Sequence, residues 1–358
     1  PVEKDSVQLR VIPVSISDTA YRNVDQTFEQ ISYVVLSDNV VIGEIVRTLV
    51  SDERIFILDN QNKLFCFDMQ GKVEYVIDEH GPGPNEYGNV LDFALNPPLK
   101  MLWMYDSTRR KLHCYDMYTG KRRQSISAAY MASERMAIWN GSFFFFMGDH
   151  YNYPDNPEMH YSLFCSLSGA KIDKSFFPHD RTSEFRFSYG KEHPFYYNND
   201  KLYFIKDYET VVYQLTSESV TPVYKVELPD SLPLDVLMEV TPSLKLMQTR
   251  YSWLLSNAYE ADGFLNLWFQ KQGSCYAVYY DLLKDKLIYA GKQVNNHPVK
   301  DLLFISQIHG VYKDMFFSVV PSFVIQYKIS ENPNVFPDDL KNLTEESNPI
   351  IGFYRVKR

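Results

Sequence analysis

Short apolar runs of five to seven residues, each followed by a polar turn, recur along most of the chain. The pattern is clearest where the same arrangement of apolar and polar residues occurs twice. The paired runs are Arg54-Ile-Phe-Ile-Leu-Asp59 with Met101-Leu-Trp-Met-Tyr-Asp106, and Lys63-Leu-Phe-Cys-Phe-Asp68 with Lys111-Leu-His-Cys-Tyr-Asp116. The two copies are 47 to 48 residues apart. A self-similar unit of this length, made of short β-runs, is typical of one propeller blade.

The same unit can be followed through the rest of the chain. Its second strands are predicted to begin near residues 54, 101, 142, 201, 264 and 315, which gives six units. The sixth unit is one strand short, and an early run, residues 31–36 or 7–14, can supply the missing outer strand. Pairing one terminus with the other removes a free sheet edge. The pattern therefore predicts an all-β, six-bladed propeller of four-stranded antiparallel blades, closed by an N-terminal strand in the last blade.

Domain boundaries follow from this count. Residues 1–30 are predicted to be an N-terminal extension able to contribute an outer strand, and residues 31–358 a single propeller. Residues 229–250 interrupt the units as an insertion, with a helix-like piece at 234–240. A length of 358 residues alone would also suit two domains, but all-β repeat folds often form one.

Composition excludes some partners. The chain has 36 basic and 45 acidic residues, a net charge of −9, and no dense basic patch. A nucleic-acid binder normally carries such a patch, so no nucleic-acid partner is expected. No apolar run approaches the roughly 18 residues needed to span a bilayer, so a membrane role would require a lipid anchor that has been removed. The chain starts at Pro1, which suits a cleaved signal peptide and a trimmed chain equally.

The four cysteines are predicted to be free thiols. Cys66, Cys114 and Cys165 occupy the same position of successive units. Neighbouring sheets pack roughly 10 Å apart, whereas the Cα atoms of a disulfide lie about 4.4–6.8 Å apart. The sequence also contains no Walker loop, dinucleotide-binding glycine pattern, Cys-x-x-Cys, HExxH or GxSxG motif.

A family resemblance rests on Gly81-Pro-Gly-Pro-Asn-Glu-Tyr87, followed by strands that end at Asp106 and Asp116. This arrangement resembles an NHL-type repeat and, more closely, the six-bladed β-propeller proteins of Bacteroides-type bacteria. Those proteins also end in Asn-Pro and an apolar strand, as at Asn348-Pro349 here. The resemblance covers roughly residues 25–357 and implies an exported protein that is periplasmic, outer-membrane-anchored or extracellular. It implies no reaction, and this chain departs from the glycine-rich style of NHL repeats with only 15 glycines.

The first candidate ligand-binding residues lie on the predicted loop-rich face. They are Glu86 and Tyr87 in the glycine-proline loop, and Arg109 and Arg110 in the next hairpin turn. A guanidinium group suits a carboxylate, a sulfate or a uronate. The alternative is that Glu86 and Tyr87 hold the loop by hydrogen bonding and packing, and that the arginines form a solvated turn.

Asp149 and His150, in the longest central loop, are the second candidate, as an acid/base pair or an ordinary exposed loop pair. Asp59, Asp106 and Asp207 end strands, where they can cap hairpin amides or converge on a cation. No metal site is predicted, and Ca²⁺ is the one cofactor that these carboxylates could take. Histidines 80, 113, 193 and 297 have no metal-ligand spacing.

Several aromatic residues could stack on sugar rings or belong to the core between blades. They are Tyr151, Tyr153, Phe195, Tyr196, Tyr197, Trp253 and Trp268.

Two functions remain open from the sequence. The favoured hypothesis is a non-enzymatic binding propeller of the bacterial cell envelope that recognises a small molecule, a glycan fragment or an envelope protein. The alternative is a hydrolase- or lactonase-type enzyme at the mouth of the central channel, with or without a divalent cation. An enzyme would bring acids, a histidine or a cation together on the axis, and a binding module would have an aromatic and arginine-lined depression. Substrate, catalytic residues and oligomeric state cannot be read from the sequence.

Overall fold

The computed structural model describes residues 9–17, 24–128, 133–148, 160–178, 193–233, 236, 250–292, 307–331, 333–334 and 336–358. Within them, six four-stranded antiparallel sheets surround one axis, with an extra parallel strand on the fourth sheet. The predicted six-bladed propeller is therefore confirmed.

Strands run outward from the axis in chain order within the first five blades. The N-terminal region contributes β1 (Arg10–Pro13), a short helix α1 (Val24–Thr27) and β2 (Phe28–Val35). Blade I contains β3 (Ile45–Ser51), β4 (Arg54–Asp59), β5 (Leu64–Asp68) and β6 (Val73–Ile77). Blade II contains β7 (Val90–Asn96), β8 (Met101–Asp106), β9 (Lys111–Asp116) and β10 (Arg122–Ser127).

The remaining blades repeat the arrangement. Blade III contains β11 (Arg135–Trp139), β12 (Ser142–Phe146), β13 (Tyr161–Ser166) and β14 (Lys174–Pro178). Blade IV contains β15 (Phe195–Tyr197), β16 (Leu202–Phe204), β17 (Val211–Leu215) and β18 (Val220–Glu227). Blade V contains β19 (Ser252–Ala261), β20 (Phe264–Lys271), β21 (Ser274–Asp281) and β22 (Lys286–Lys292). Blade VI contains β23 (Ile308–Tyr312), β24 (Met315–Val320) and β25 (Ile350–Val356).

The second strand of a blade is apolar throughout because both of its faces are covered by neighbouring blades. β4, β8 and β12 are buried over almost their whole length, whereas the outer strand β6 alternates between exposed and buried positions. Strands buried on both faces lose the two-residue alternation of a half-exposed strand. The sequence repeat was therefore visible mainly in the middle strands.

Two-residue turns fix the register of several hairpins. Asn140-Gly141, Asp262-Gly263 and Gln272-Gly273 all have positive φ at both positions. Two consecutive left-handed residues form the turn whose twist matches paired antiparallel strands. Asp52 and Glu53 adopt the same conformation without a glycine, with φ of 47° and 58°.

The N-terminal strand closes the ring as predicted. β2 is the outer strand of blade VI and pairs antiparallel with β25, from Phe28 opposite Val356 to Val35 opposite Ile350. The run at 7–14 lies elsewhere, since β1 pairs in parallel with β18 at the rim of blade IV. The backbone N–H of Ser17 then donates to Ala290 of blade V at 2.9 Å. The N-terminal segment thus contacts blades IV, V and VI in turn.

An insertion between β24 and β25 carries two helices, α2 (Ser322–Glu331) and α3 (Asp338–Lys341). They pack on blade VI through a small cluster that includes Val320, Ile325 and Leu340. Helix α2 was not predicted from the sequence. The helix expected at 234–240 lies outside the described residues except for Val236. In the described part of the chain, no helix is long and apolar enough to cross a membrane.

Cysteines 66, 114, 165 and 275 are free, as predicted. The first three are fully buried in the third strands of their blades. Burial raises the pKa of the Cys114 and Cys165 thiols to about 11. These thiols therefore behave as small core side chains.

Phe28 provides a test of ring closure. Its ring is 2% exposed and packs on Tyr279 of blade V, with ring centroids 4.6 Å apart. We expect Phe28→Ala to lower the free energy of unfolding by about 3–5 kcal/mol, because it leaves a cavity where β2 seals the last two blades. Ile31→Ala, on the same strand but 41% exposed, should cost about 0.5 kcal/mol or less. Urea unfolding measures both, and equal losses would refute the role assigned to Phe28.

Candidate functional site

A central cavity of about 1400 Å³ lies on the propeller axis. The inner strands of blades I, IV, V and VI line most of it, and blades II and III contribute mainly the ends of theirs. The turns between first and second strands, which include Asp52 and Asn140, lie at one mouth of the cavity. The helical insertion, in which Phe323 is 59% exposed, lies at the other mouth.

Arg47 of β3 forms part of the cavity wall. Its Nη1 donates to Asp92 Oδ1 at 2.8 Å, to the Phe93 carbonyl at 2.6 Å and to the Met136 carbonyl at 3.1 Å. The guanidinium also lies 5.7 Å from the ring centroid of Tyr197. One side chain of blade I thus contacts blades II, III and IV.

Asp92 of β7 is completely buried and accepts four hydrogen bonds. Oδ1 accepts from Arg47 and from the backbone N–H of Phe93, and Oδ2 accepts from the N–H of Met136 at 2.7 Å and from His193 Nε2 at 2.8 Å. Burial acts to raise the pKa of this carboxyl group, but Arg47 and His193 outweigh burial and lower it. Asp92 is therefore a buried, fully hydrogen-bonded carboxylate that joins the inner strands of four blades.

His193 has both ring nitrogens engaged. Its Nε2 lies 2.8 Å from Asp92 Oδ2, a carboxylate oxygen that can only accept, so we assign the proton to Nε2. Nδ1 lies 3.1 Å from both the N–H and the carbonyl of Phe195 and, without a proton, accepts from the N–H. Burial and the charge of Arg47 lower the pKa of His193 to about 4, against the opposing effect of Asp92. The ring is therefore neutral at pH 7 and has no nitrogen left for proton transfer to a substrate.

Backbone irregularities direct the two charged side chains of this network. The β3–β4 register shifts between Ile45 and Arg47, and the β7–β8 register shifts between Val90 and Asp92. Such bulges re-aim a side chain away from its regular face. The sequence analysis missed Arg47 and Asp92, although each is a single charge inside a mainly apolar strand run, and it named His193 only as a histidine without metal-ligand spacing.

Aromatic and amide side chains complete the cavity lining. Trp139 and Tyr197 have ring centroids 6.4 Å apart, and Tyr312 lies on the blade VI side. Amide groups come from Asn60, Asn96, Asn140, Asn198, Asn199 and Asn257. Of the aromatic residues singled out from the sequence, Phe195, Tyr196 and Tyr197 line this cavity.

Glu86 and Arg109, two sequence-predicted ligand residues, hold the Gly81–Gly88 loop. The Gly83 N–H donates to Glu86 Oε2 at 2.6 Å, and Arg109 donates to the carbonyls of Gly81 and Gly83 at 2.7 Å each. A Cβ at position 81 would lie 2.1 Å from Glu86 Oε2, so a larger residue there would displace the Glu86 carboxylate that holds the loop.

Tyr87 is fully buried behind the same loop, and its hydroxyl donates to the Asn62 carbonyl at 2.8 Å. Arg110 is exposed in the hairpin turn with φ of 52°, and its carbonyl accepts from Ala128 N–H. None of the four residues Glu86, Tyr87, Arg109 and Arg110 lines the cavity. Asp149 and His150 lie outside the described residues.

Two of the three strand-end aspartates, Asp59 and Asp106, cap turns. Asp59 accepts from the N–H groups of Gly43, Gln61 and Lys63, and Asp106 accepts from those of Gly88 and Arg109. Asp207 is 3% exposed. Among the described residues, no group of three or more His, Cys, Asp or Glu side chains is placed to hold a metal ion.

The pKa of His193 gives a pH test. Between about pH 6.5 and 4 the unfolded chain binds a proton at His193 that the folded chain excludes, so the free energy of unfolding falls as pH falls. At about 1.36 kcal/mol per unit of pKa shift, this contribution is up to about 3 kcal/mol. We expect His193→Gln, which can still donate to Asp92, to lose less stability between pH 7 and 4 than the wild type. Urea unfolding at each pH measures this, and parallel curves would contradict the assignment.

Comparisons with known proteins place the fold and family. No curated protein matches the chain. The structure is similar to that of a Bacteroides fragilis protein described as a “Putative exported protein”, with 17% identity, coverage of 98% of this chain and 100% of that one, and a TM-score of 0.79. It is also similar to a member of the duf4221 family from Bacteroides vulgatus, with 10% identity, coverage of 93% and 99%, and a TM-score of 0.53.

At these identities the likeness establishes the fold, and the resemblance to Bacteroides-type propellers is confirmed at that level. The resemblance to NHL repeats stays a prediction. The family described as “Domain of unknown function (DUF4934)” matches residues 9–355, and the chain belongs to that family.

Proposed function

We propose that this chain is an exported binding propeller whose small-molecule ligand occupies the central cavity. The observation that carries the proposal is the cavity itself, about 1400 Å³ in volume and lined by aromatic, amide and arginine side chains. Ligand pockets in proteins usually measure about 300–1,000 Å³. The space is therefore sufficient for a ligand of more than one ring.

The lining favours a hydroxyl-rich ligand such as a sugar or short glycan. The exposed amides of Asn140 and Asn199 can both donate and accept hydrogen bonds, which suits hydroxyl groups that do the same. The faces of Trp139, Tyr197 and Tyr312 offer flat apolar surfaces for the C–H faces of sugar rings.

Binding is favoured over catalysis by the state of the charged groups in the wall. Asp92 and His193 have the shifted pKa values that often mark an active site. However, Asp92 is 0% exposed and both nitrogens of His193 are already hydrogen-bonded. The geometry of these groups supports a structural role, and a hydrolase would need a reacting group elsewhere in the cavity.

Export is part of the proposal. It is supported by the description of the Bacteroides fragilis protein that shares the fold across the full length of both chains. From the sequence resemblance we propose that the exported protein is periplasmic, outer-membrane-anchored or extracellular. Fractionation of cells that make the full-length protein tests it, and recovery in the cytosol alone would overturn it.

Trp139 tests the ligand site. We expect a panel of neutral mono-, di- and trisaccharides to contain members that raise the melting temperature of the wild type. Trp139→Ala should weaken binding of those members about tenfold or more, a loss of about 1.4 kcal/mol, because it removes a stacking face. Isothermal titration calorimetry measures the loss.

Trp268→Ala is the matched control, since Trp268 is also half-buried but lies outside the cavity lining. It should bind like the wild type. Absence of binding to every sugar in the panel, or equal loss in both variants, would overturn the proposed function.

A further inference from the structure

Three large apolar side chains are exposed on the face of the propeller that carries the helical insertion. Val41, in the loop between β2 and β3, is 81% exposed. Phe323 and Tyr327 of α2 are 59% and 55% exposed, and they lie one helical turn apart on the same side of the helix. Single exposed apolar residues are ordinary, but a group of them often marks an interaction site. We call these three residues the apolar platform.

Asn348 brings the two segments of the platform together. Its side chain accepts from the Ile42 N–H at 3.2 Å and donates to the Val40 carbonyl at 2.7 Å, so it holds the backbone on both sides of Val41. Its own carbonyl accepts from the Ser322 hydroxyl at 2.6 Å. This serine is the first residue of α2 and directly precedes the exposed phenylalanine. One asparagine therefore fixes the loop and the start of the helix beside each other.

The other side of α2 is already used for folding. Ile325 is fully buried and packs in the cluster that also contains Val320 and Leu340. Phe323 and Tyr327 belong to none of the apolar clusters formed by the described residues. The fold thus gains little from these two rings.

The platform has an acidic surrounding. Its two segments, residues 36–44 and 321–349, contain seven acidic residues, two lysines and no arginine. Lys328 is buried, and Lys341 pairs with Asp338 at 2.7 Å, so neither lysine offsets the other carboxylates. The other exposed acidic residues of these segments are Asp38, Glu44, Glu331, Asp339, Glu345 and Glu346.

This charge distinguishes between possible occupants. An anionic bilayer surface and a nucleic acid would both be repelled by the carboxylates. A neutral sugar could stack on the rings but would leave the carboxylates unused. A protein segment with basic residues around an apolar centre complements both features, since protein interfaces combine an apolar core, a polar rim and opposite charges.

We propose that the apolar platform docks a segment of a partner protein in which lysine or arginine residues flank aliphatic or aromatic ones. The inference goes beyond the proposed function and does not depend on the ligand of the cavity. Of the three platform residues, Phe323 alone borders the cavity, at its mouth.

Three synthetic peptides, blocked at both ends, test the platform. The first is Lys-Leu-Lys-Phe-Lys-Leu-Lys, the second has glutamate in place of lysine, and the third has serine in place of leucine and phenylalanine. We expect the first to bind the wild type about tenfold or more tightly than either of the others, because it alone matches the apolar centre and the acidic rim. Fluorescence anisotropy at constant ionic strength gives the affinities.

Variants from both segments test the position of the site. Phe323→Ser should weaken binding of the first peptide about tenfold, and Val41→Ser about threefold or more. Both residues are exposed, so the free energy of unfolding should hardly change. Leu283→Ser is the matched control, since Leu283 is 74% exposed in the turn after β21, and it should bind like the wild type.

The acidic rim has its own control. Glu345→Gln combined with Glu346→Gln should weaken binding about threefold at low ionic strength, and the difference should vanish at 1 M salt. Asp200→Asn combined with Asp314→Asn changes the net charge equally, in turns at the other mouth of the cavity, and should bind like the wild type.

Two results would overturn the platform. Equal binding of the first and third peptides would reduce the interaction to charge alone, and unchanged binding in Phe323→Ser would place it elsewhere. A wild-type dimer that Phe323→Ser dissociates in analytical ultracentrifugation would also overturn the proposal, because it would assign the platform to a second copy of this chain.

Discussion

The carboxylate of Asp92 fixes the centre of this propeller. It binds Arg47 of blade I, the Met136 amide of blade III and His193 beside blade IV from its own position in blade II. Removing one partner of such a buried ionic pair typically costs about 3–5 kcal/mol, because the remaining charge is left without compensation. The inner strands of these four blades therefore have one arrangement in which Asp92, Arg47 and His193 are all hydrogen-bonded. That arrangement sets the positions of the side chains in the cavity wall.

The two halves of the ring contribute differently to the cavity. Blades I to IV supply the charged network, whereas blades V and VI supply the left-handed residue Asn257 and the helical insertion. Asn257 of β19 has φ of 59°, and its side chain donates to Asn266 and to the Ile308 carbonyl of blade VI. A strained residue held by two buried hydrogen bonds stores a local cost of order 1–3 kcal/mol that the surrounding fold must offset. Asn257 therefore helps to fix the shape of the cavity wall between blades V and VI, whereas the charged side chains of that wall come from blades I to IV.

Much of the fold could be predicted because its determinants are local. Strands buried between blades are apolar throughout, and turns such as Asn140-Gly141 have residues suited to positive φ. The place of β1 could not be predicted, because an isolated run of four residues can pair with any free edge of suitable length. Helix α2 was missed because it lies in an insertion that the repeat does not constrain.

The candidate site could be predicted far less well, and the reason is physical. Arg47 and Asp92 are 45 residues apart and Asp92 and His193 are 101 apart, and two bulges must coincide before these side chains meet. The Gly81–Gly88 loop was predicted to hold ligand-binding residues because its composition is unusual. In the structure its polar groups hydrogen-bond one another, as Arg109 does with the loop carbonyls. An unusual composition often reflects the conformation that a loop backbone must adopt. Ligand recognition instead requires hydrogen-bond donors and acceptors that the protein does not use itself. Arg47 differs from the residues of that loop, since it lines the cavity while its Nη1 donates to Asp92 and to two backbone carbonyls.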